Sequence, residues 1–174
     1  MLMDYYAYSV EELGLVSSYT PYERSRIGKD FIRNEGKSRH WTQKILRTIN
    51  SALTLTNLPQ LSKYDIVFES GGTQTKVEGK VRKCCSYTYP DLRISAPKCD
   101  FSNCDDWWVS CYYEGDGKWY VWDLSDYTPR RETDYRHSKY TSECDNNYEV
   151  VEDCWVFDFS EAAYAGKRKE GYGR

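Results

Sequence analysis

Apolar residues fall at three- to four-residue intervals in the first third of the chain and at alternate positions afterwards. Ile27 and Phe31, then Trp41, Ile45, Ile49 and Leu53, keep a helical spacing. It predicts two amphipathic segments from Thr20 onward, interrupted near Glu35-Gly36, whose apolar stripes pack on one face of a sheet. A shorter helix is predicted at Ser9-Val10-Glu11-Glu12-Leu13, where a serine N-cap is followed three residues later by glutamate and the segment ends near Gly14. Strands are predicted at 64–69, 75–83, 107–113, 119–124 and 148–159, with Gly71-Gly72 as the turn folding the first of them back on the second. Helices first and strands afterwards indicate an α/β (α+β) domain, a mixed β-sheet core flanked by N-terminal helices. Residues 1–165 read as one domain and residues 166–174, rich in glycine and basic side chains, as a flexible tail.

A chain of 174 residues, 40% hydrophobic and 16% aromatic, can bury a core without disulfides. No stretch reaches the apolar length of a membrane span, and the N-terminus lacks a basic region followed by an apolar one, so an intracellular protein without a membrane partner is expected. The seven cysteines are an odd number and read mostly as free thiols. A structural zinc site from Cys84 or Cys85 with Cys99 and Cys104 is the alternative, although no CxxC pair occurs and His40 and His137 are distant in sequence. No Ser/His/Asp or Cys/His arrangement and no P-loop is present. Trp107, Trp108, Trp119, Trp122 and Trp155 sit in predicted strands and read as core.

The candidate chemistry lies in Glu78-Gly79-Lys80 and Asp65. On a strand, Glu78 and Lys80 project together while Val77, Gly79 and Val81 face the other way. The Gly71-Gly72 turn brings Asp65, which opens the preceding strand, alongside them. Two carboxylates and a substrate phosphate suffice to hold Mg2+ (or Mn2+), whose bound water becomes a nucleophile near neutral pH. The Lys80 ammonium then orients that water or stabilises the phosphorane. A solvated Lys/Glu strand face has the same pattern and no activity.

Lys63-Tyr64-Asp65-Ile66-Val67 followed by Lys76-Val77-Glu78-Gly79-Lys80-Val81 resembles the PD-(D/E)xK nuclease superfamily, over roughly residues 22–124. The downstream runs from Asp106 to Tyr112 and from Trp119 to Leu124 are similar to the strand, turn and strand that many restriction-type members carry. The resemblance implies a restriction-endonuclease-like fold, Asp65 and Glu78 as metal ligands, Lys80 as their catalytic partner, and an acid from the preceding helix. Glu35 and Glu23 compete for that role, with Asp30 a third choice; Glu23, three residues after Thr20 and two after Pro21, also fits a capping box. The chain departs from the family where Tyr64 replaces the proline before the aspartate and where residues 84–104 lack the common helix.

Net charge is −3, but its distribution matters more than its sum. Between residues 19 and 50, Arg24, Arg26, Lys29, Arg33, Lys37, Arg39, Lys44 and Arg47 outnumber Glu23, Asp30 and Glu35. Arg82, Lys83, Arg93 and Lys98, interleaved with Tyr87 and Tyr89, continue the positive charge past the Glu-x-Lys strand. Local cations of this kind bind phosphates whatever the overall charge. Arg130, Arg131, Arg136, His137 and Lys139 read as a polar loop able to enter a groove. The reading is a Mg2+-dependent endonuclease of homing or restriction type, acting on double-stranded DNA as a homodimer. The alternatives are a Holliday-junction resolvase or repair nuclease, and a non-catalytic β-rich interaction or virion-associated protein that would use the aromatic, acidic hairpin at 105–126.

Overall fold

The computed structural model describes residues 29–57, 66–97, 99–102, 104–141 and 146–168, the side chains of 29–35, 57, 138–141 and 146–148 excepted. The helix expected at 9–14 and the start of the one expected from Thr20 lie outside those residues. Helix α1 (Lys29–Ile49) runs without interruption through Glu35-Gly36. The expected break is therefore absent. Gly36 is buried, and its packing outweighs the roughly 1 kcal/mol that glycine costs inside a helix.

The strands are β1 (Thr54–Asn57), β2 (Ile66–Ser70), β3 (Thr73–Arg82), β4 (Asp91–Ser95), β5 (Trp107–Tyr113), β6 (Lys118–Asp123), β7 (Arg130–Thr141), β8 (Asn146–Asp158) and β9 (Tyr164–Lys167), with a 3-10 turn at Phe159–Glu161. They form a six-stranded sheet in the order β1-β2-β3-β5-β6-β9 and a three-stranded sheet in the order β4-β8-β7. The larger sheet is mixed: β3 and β5 are parallel, while its other neighbouring pairs are antiparallel. The described residues are thus mostly sheet with one helix, an α+β arrangement.

Alternation along the strands separates two interfaces. Trp41, Ile45 and Leu46 of α1 pack on one face of the larger sheet, against Ile66, Val77, Tyr112 and Val121. Val109, Cys111 and Trp122 on the other face pack against Leu92, Ile94, Trp155 and Phe157 of the small sheet. Each large apolar side chain so buried contributes about 1.5–3 kcal/mol. The tryptophans expected in the core are there: Trp122 and Trp155 are buried, and Trp107, Trp108 and Trp119 pack at its edges.

The Gly71-Gly72 turn forms as expected. Ser70 pairs with Thr73, and φ is +58° at Gly71 and +81° at Gly72, as a two-residue hairpin of the twist-compatible type needs. Parallel β3 and β5 require a crossover. Here that connection contains β4 and passes over the face opposite α1, where the family resemblance implies a helix.

Strands β1 and β4 are not among those predicted, and two further segments differ from expectation. Residues 130–141, read as a polar loop, form the 12-residue β7, stabilised by β8 through diagonal charge pairs instead of an apolar face. These are Arg130–Asp158, Arg131–Asp153, Arg136–Glu149 and His137–Glu152. A bulge between Glu132 and Tyr135, with Asp134 at φ +55°, resets the register. Gly166 and Lys167, assigned to the tail, pair with Trp119 and Lys118 in β9. The missing side chain of Gly166 leaves room for the Trp119 indole. Arg168 follows, donating to the Tyr112 hydroxyl at 2.9 Å.

Candidate active site

Strand β3 has different neighbours on its two faces. Val77 and Val81 face α1. Between them Gly79 meets the helix directly: Ser38 Oγ donates to the Gly79 carbonyl at 3.0 Å, and the Thr42 side chain occupies the space a Cβ would need. The middle residue of Glu-Gly-Lys is thereby explained by close backbone approach.

Glu78 and Lys80 point the other way, beside Val109 and Cys111, their partners in the parallel ladder. Glu78 is 8% exposed, and Lys80 Nζ lies 2.8 Å from its Oε1. Charges this far from water persist only when paired. Burial pushes the neighbouring Cys111 thiol up to about 12, opposed by the charges of Arg82 and Lys80.

Lys80 and Arg82 border a cavity of about 640 Å³ between the sheets, with Arg93, Tyr135 and His137 on its wall. Arg82 Nη2 donates to the Arg93 carbonyl at 3.1 Å. The Arg93 guanidinium is fixed by Asp91 at 3.0 Å and Glu132 at 2.9 Å, and lies 4.4 Å from the Tyr135 ring centre. Although burial acts to lower its pKa, hydrogen bonds to those two carboxylates prevail and raise it, keeping Arg93 charged. On the same strand His137 stacks with Tyr135 at 5.2 Å, its Nε2 2.7 Å from Glu152 Oε1. A smaller recess of about 230 Å³, lined by Lys37, Ser38, Lys83 and Glu114, meets the same Lys80 and Arg82 from the helix side.

Of the expected site residues, Glu78 and Lys80 are brought together. Asp65 lies outside the described residues; the first described position of β2, Ile66, pairs with Val77, immediately before Glu78. Glu23, Arg24, Arg26 and Lys98 also lie outside. Glu35, Asp30, Lys29 and Arg33 belong to α1, Glu35 one turn ahead of Ser38, but their side chains are not described. Lys37 and Arg39 do not form an open basic face: Arg39 is fully buried, and Lys37 is buried with its Nζ 3.0 Å from Glu114. Arg82 and Arg93 turn toward the cavity, and Lys83 is exposed. Tyr87 and Tyr89 are 80% and 62% exposed.

Among the described residues no three His, Cys, Asp or Glu side chains converge on a point that could hold a metal, so Cys84, Cys85, Cys99 and Cys104 do not assemble a zinc site. Among the same residues no helix is long and apolar enough to cross a membrane. Tyr135 and its stacking partners are not foreshadowed as a unit by any motif. Their only trace in the sequence is the spacing of two between Tyr135 and His137.

No family model matches the chain, and neither does any curated protein. Among solved structures it is similar to a bacterial homing endonuclease, I-Ssp6803I, at 21% identity and a TM-score of 0.36. The match covers 51% of this chain and 64% of that protein, less than two thirds of its length.

Proposed function

We propose that the chain is a metal-dependent endonuclease of homing or restriction type that hydrolyses phosphodiester bonds of double-stranded DNA. Its catalytic set is Asp65, Glu78 and Lys80, with Glu35, in preference to Glu23, as the added acid. The observation carrying this reading is the secluded Glu78–Lys80 pair at 2.8 Å, beside a cavity that Lys80 shares with Arg82 and Arg93. An ion pair serving stability alone gains little from desolvation; one beside a cationic cavity can act on a phosphate.

The proposal requires the β2–β3 ladder to continue one position beyond Ile66–Val77, setting Asp65 opposite Glu78. The described part contributes one carboxylate, and Asp65 is the second oxygen donor that Mg2+ or Mn2+ would need. Bound there, the cation supplies Lewis acidity and a water of lowered pKa. Glu78 holds Lys80 in place, and the ammonium stabilises charge building on the phosphoryl oxygens. Arg82 and Lys83 neutralise the flanking phosphates. Since one site cuts one strand, cleavage of both strands calls for a homodimer.

The interaction-protein alternative is less favoured, since the hairpin at 105–126 turns Trp122 into the core and packs Trp107, Trp108 and Trp119 at the core's edges, leaving mainly its acidic residues on the surface. The test is supercoiled plasmid with the protein and Mg2+, then with EDTA. Nicking or linearisation is expected only with metal, and Asp65→Asn, Glu78→Gln and Lys80→Met should each slow it by about 100-fold or more. Cleavage surviving all three changes in folded protein rejects the assignment.

A further inference from the structure

The cavity beside Lys80 has two unlike sides. From the larger sheet come Lys80 and Arg82, both cationic; from the smaller come three planar groups in succession, Arg93, Tyr135 and His137. Guanidinium lies on phenol at 4.4 Å, and imidazole stacks with the phenol at an interplanar angle of 19°. Each end is held by carboxylates, Arg93 by Asp91 and Glu132 and His137 by Glu152, so the stack is fixed before any ligand arrives. Those carboxylates are engaged by the stack itself, which limits their repulsion of an anion. Exposed Tyr89 lies at the rim.

Cations facing a stack of planar groups across about 640 Å³ match a nucleotide, with phosphate on one side and base on the other. The volume falls within the roughly 300–1,000 Å³ of small-molecule sites and is too small for a duplex. A base can enter only after leaving its helix, which costs least where it is mismatched or already unpaired.

We propose that this cavity binds one unpaired nucleotide of the substrate strand, its phosphate on Lys80 and Arg82 and its base against the Arg93–Tyr135–His137 stack. The inference rests on the nuclease reading for the role of Lys80, and it adds that one base of the duplex next to the scissile phosphate leaves the helix when the protein binds.

The test uses oligonucleotides bearing 2-aminopurine, either unpaired within a duplex or fully paired, mixed with the whole protein in EDTA so that binding is read without cleavage. Quenching of the unpaired probe and about tenfold tighter binding than to the paired one are expected. Tyr135→Leu and His137→Ala should each lose the quenching and about tenfold in affinity for the unpaired probe, whereas Tyr135→Phe keeps both. Thermal unfolding reports whether each variant is folded, and His137→Ala carries the test if Tyr135→Leu is not. Equal affinity for both probes, or quenching unchanged in the folded stack variants, overturns the inference. Preferential binding without metal-dependent cleavage overturns the nuclease reading and leaves the cavity assignment standing.

Discussion

Glu78 and Lys80 pair at 2.8 Å with little access to water. Removing one charge of so secluded a pair takes away the attraction that offsets its burial, so Lys80→Ala is expected to cost on the order of 3 kcal/mol of stability. The double variant Glu78→Gln/Lys80→Gln should cost clearly less than the sum of its single changes. Urea unfolding of all three measures this, and strict additivity would show that the pair is not coupled. Gly79 makes a second demand on the same strand. Gly79→Ala forces the new methyl into Thr42 and should cost about 1–3 kcal/mol, less in a Thr42→Ala background because the hydroxyl and methyl that it meets are then gone. Equal cost in both backgrounds would mean that the contact does not set the spacing between α1 and β3.

Elements written in apolar alternation are legible in the order of residues alone. Strand β5 spans the predicted 107–113, and β2, β3, β6 and β8 lie within two residues of the predicted ends. Tight turns are legible for the same local reason. Gly71 sits at φ +58° with open space around its missing side chain, so only backbone strain opposes a substitution. Gly71→Ala should cost about 1–2 kcal/mol, and Gly71→Asn less, since asparagine tolerates that conformation; equal costs in urea unfolding would contradict the turn assignment. Strand β7 is illegible because its order comes from charge pairs with β8, and such pairs leave no apolar period. In α1, Gly36 resembles a break because the packing that overrides its propensity is tertiary. For β9, Gly166 resembles tail composition, although its lack of a side chain is what admits Trp119.

At the scale of the molecule, a helix covers one face of the larger sheet and a second sheet covers the other, and the candidate site lies at the second interface. The half of the site on β3 is legible, since alternation alone puts Glu78 and Lys80 on one face. The other half is not, because Arg93, Tyr135 and His137 meet Lys80 only once β4 and β7 fold across. The same interface buries Cys111, whose pKa rises from 9.0 to about 12, and Tyr113, which burial shifts in the same direction. Both folded-state values are raised, so the stability conferred by the neutral Cys111 thiol is full below pH 9 and is lost as pH climbs toward 12, while that of the Tyr113 phenol begins to be lost only above pH 10. The urea midpoint should fall between about pH 8 and about pH 10.5, and by less in Cys111→Ala; an identical fall in both proteins would remove Cys111 from the account. Calorimetric titration with Mn2+ tests the proposal that Asp65 and Glu78 hold a divalent cation next to Lys80. The unaltered protein is expected to bind the ion, and Asp65→Asn and Glu78→Gln each to bind it at least about tenfold more weakly. Equal binding by all three proteins, or no binding by the unaltered one, would contradict the account.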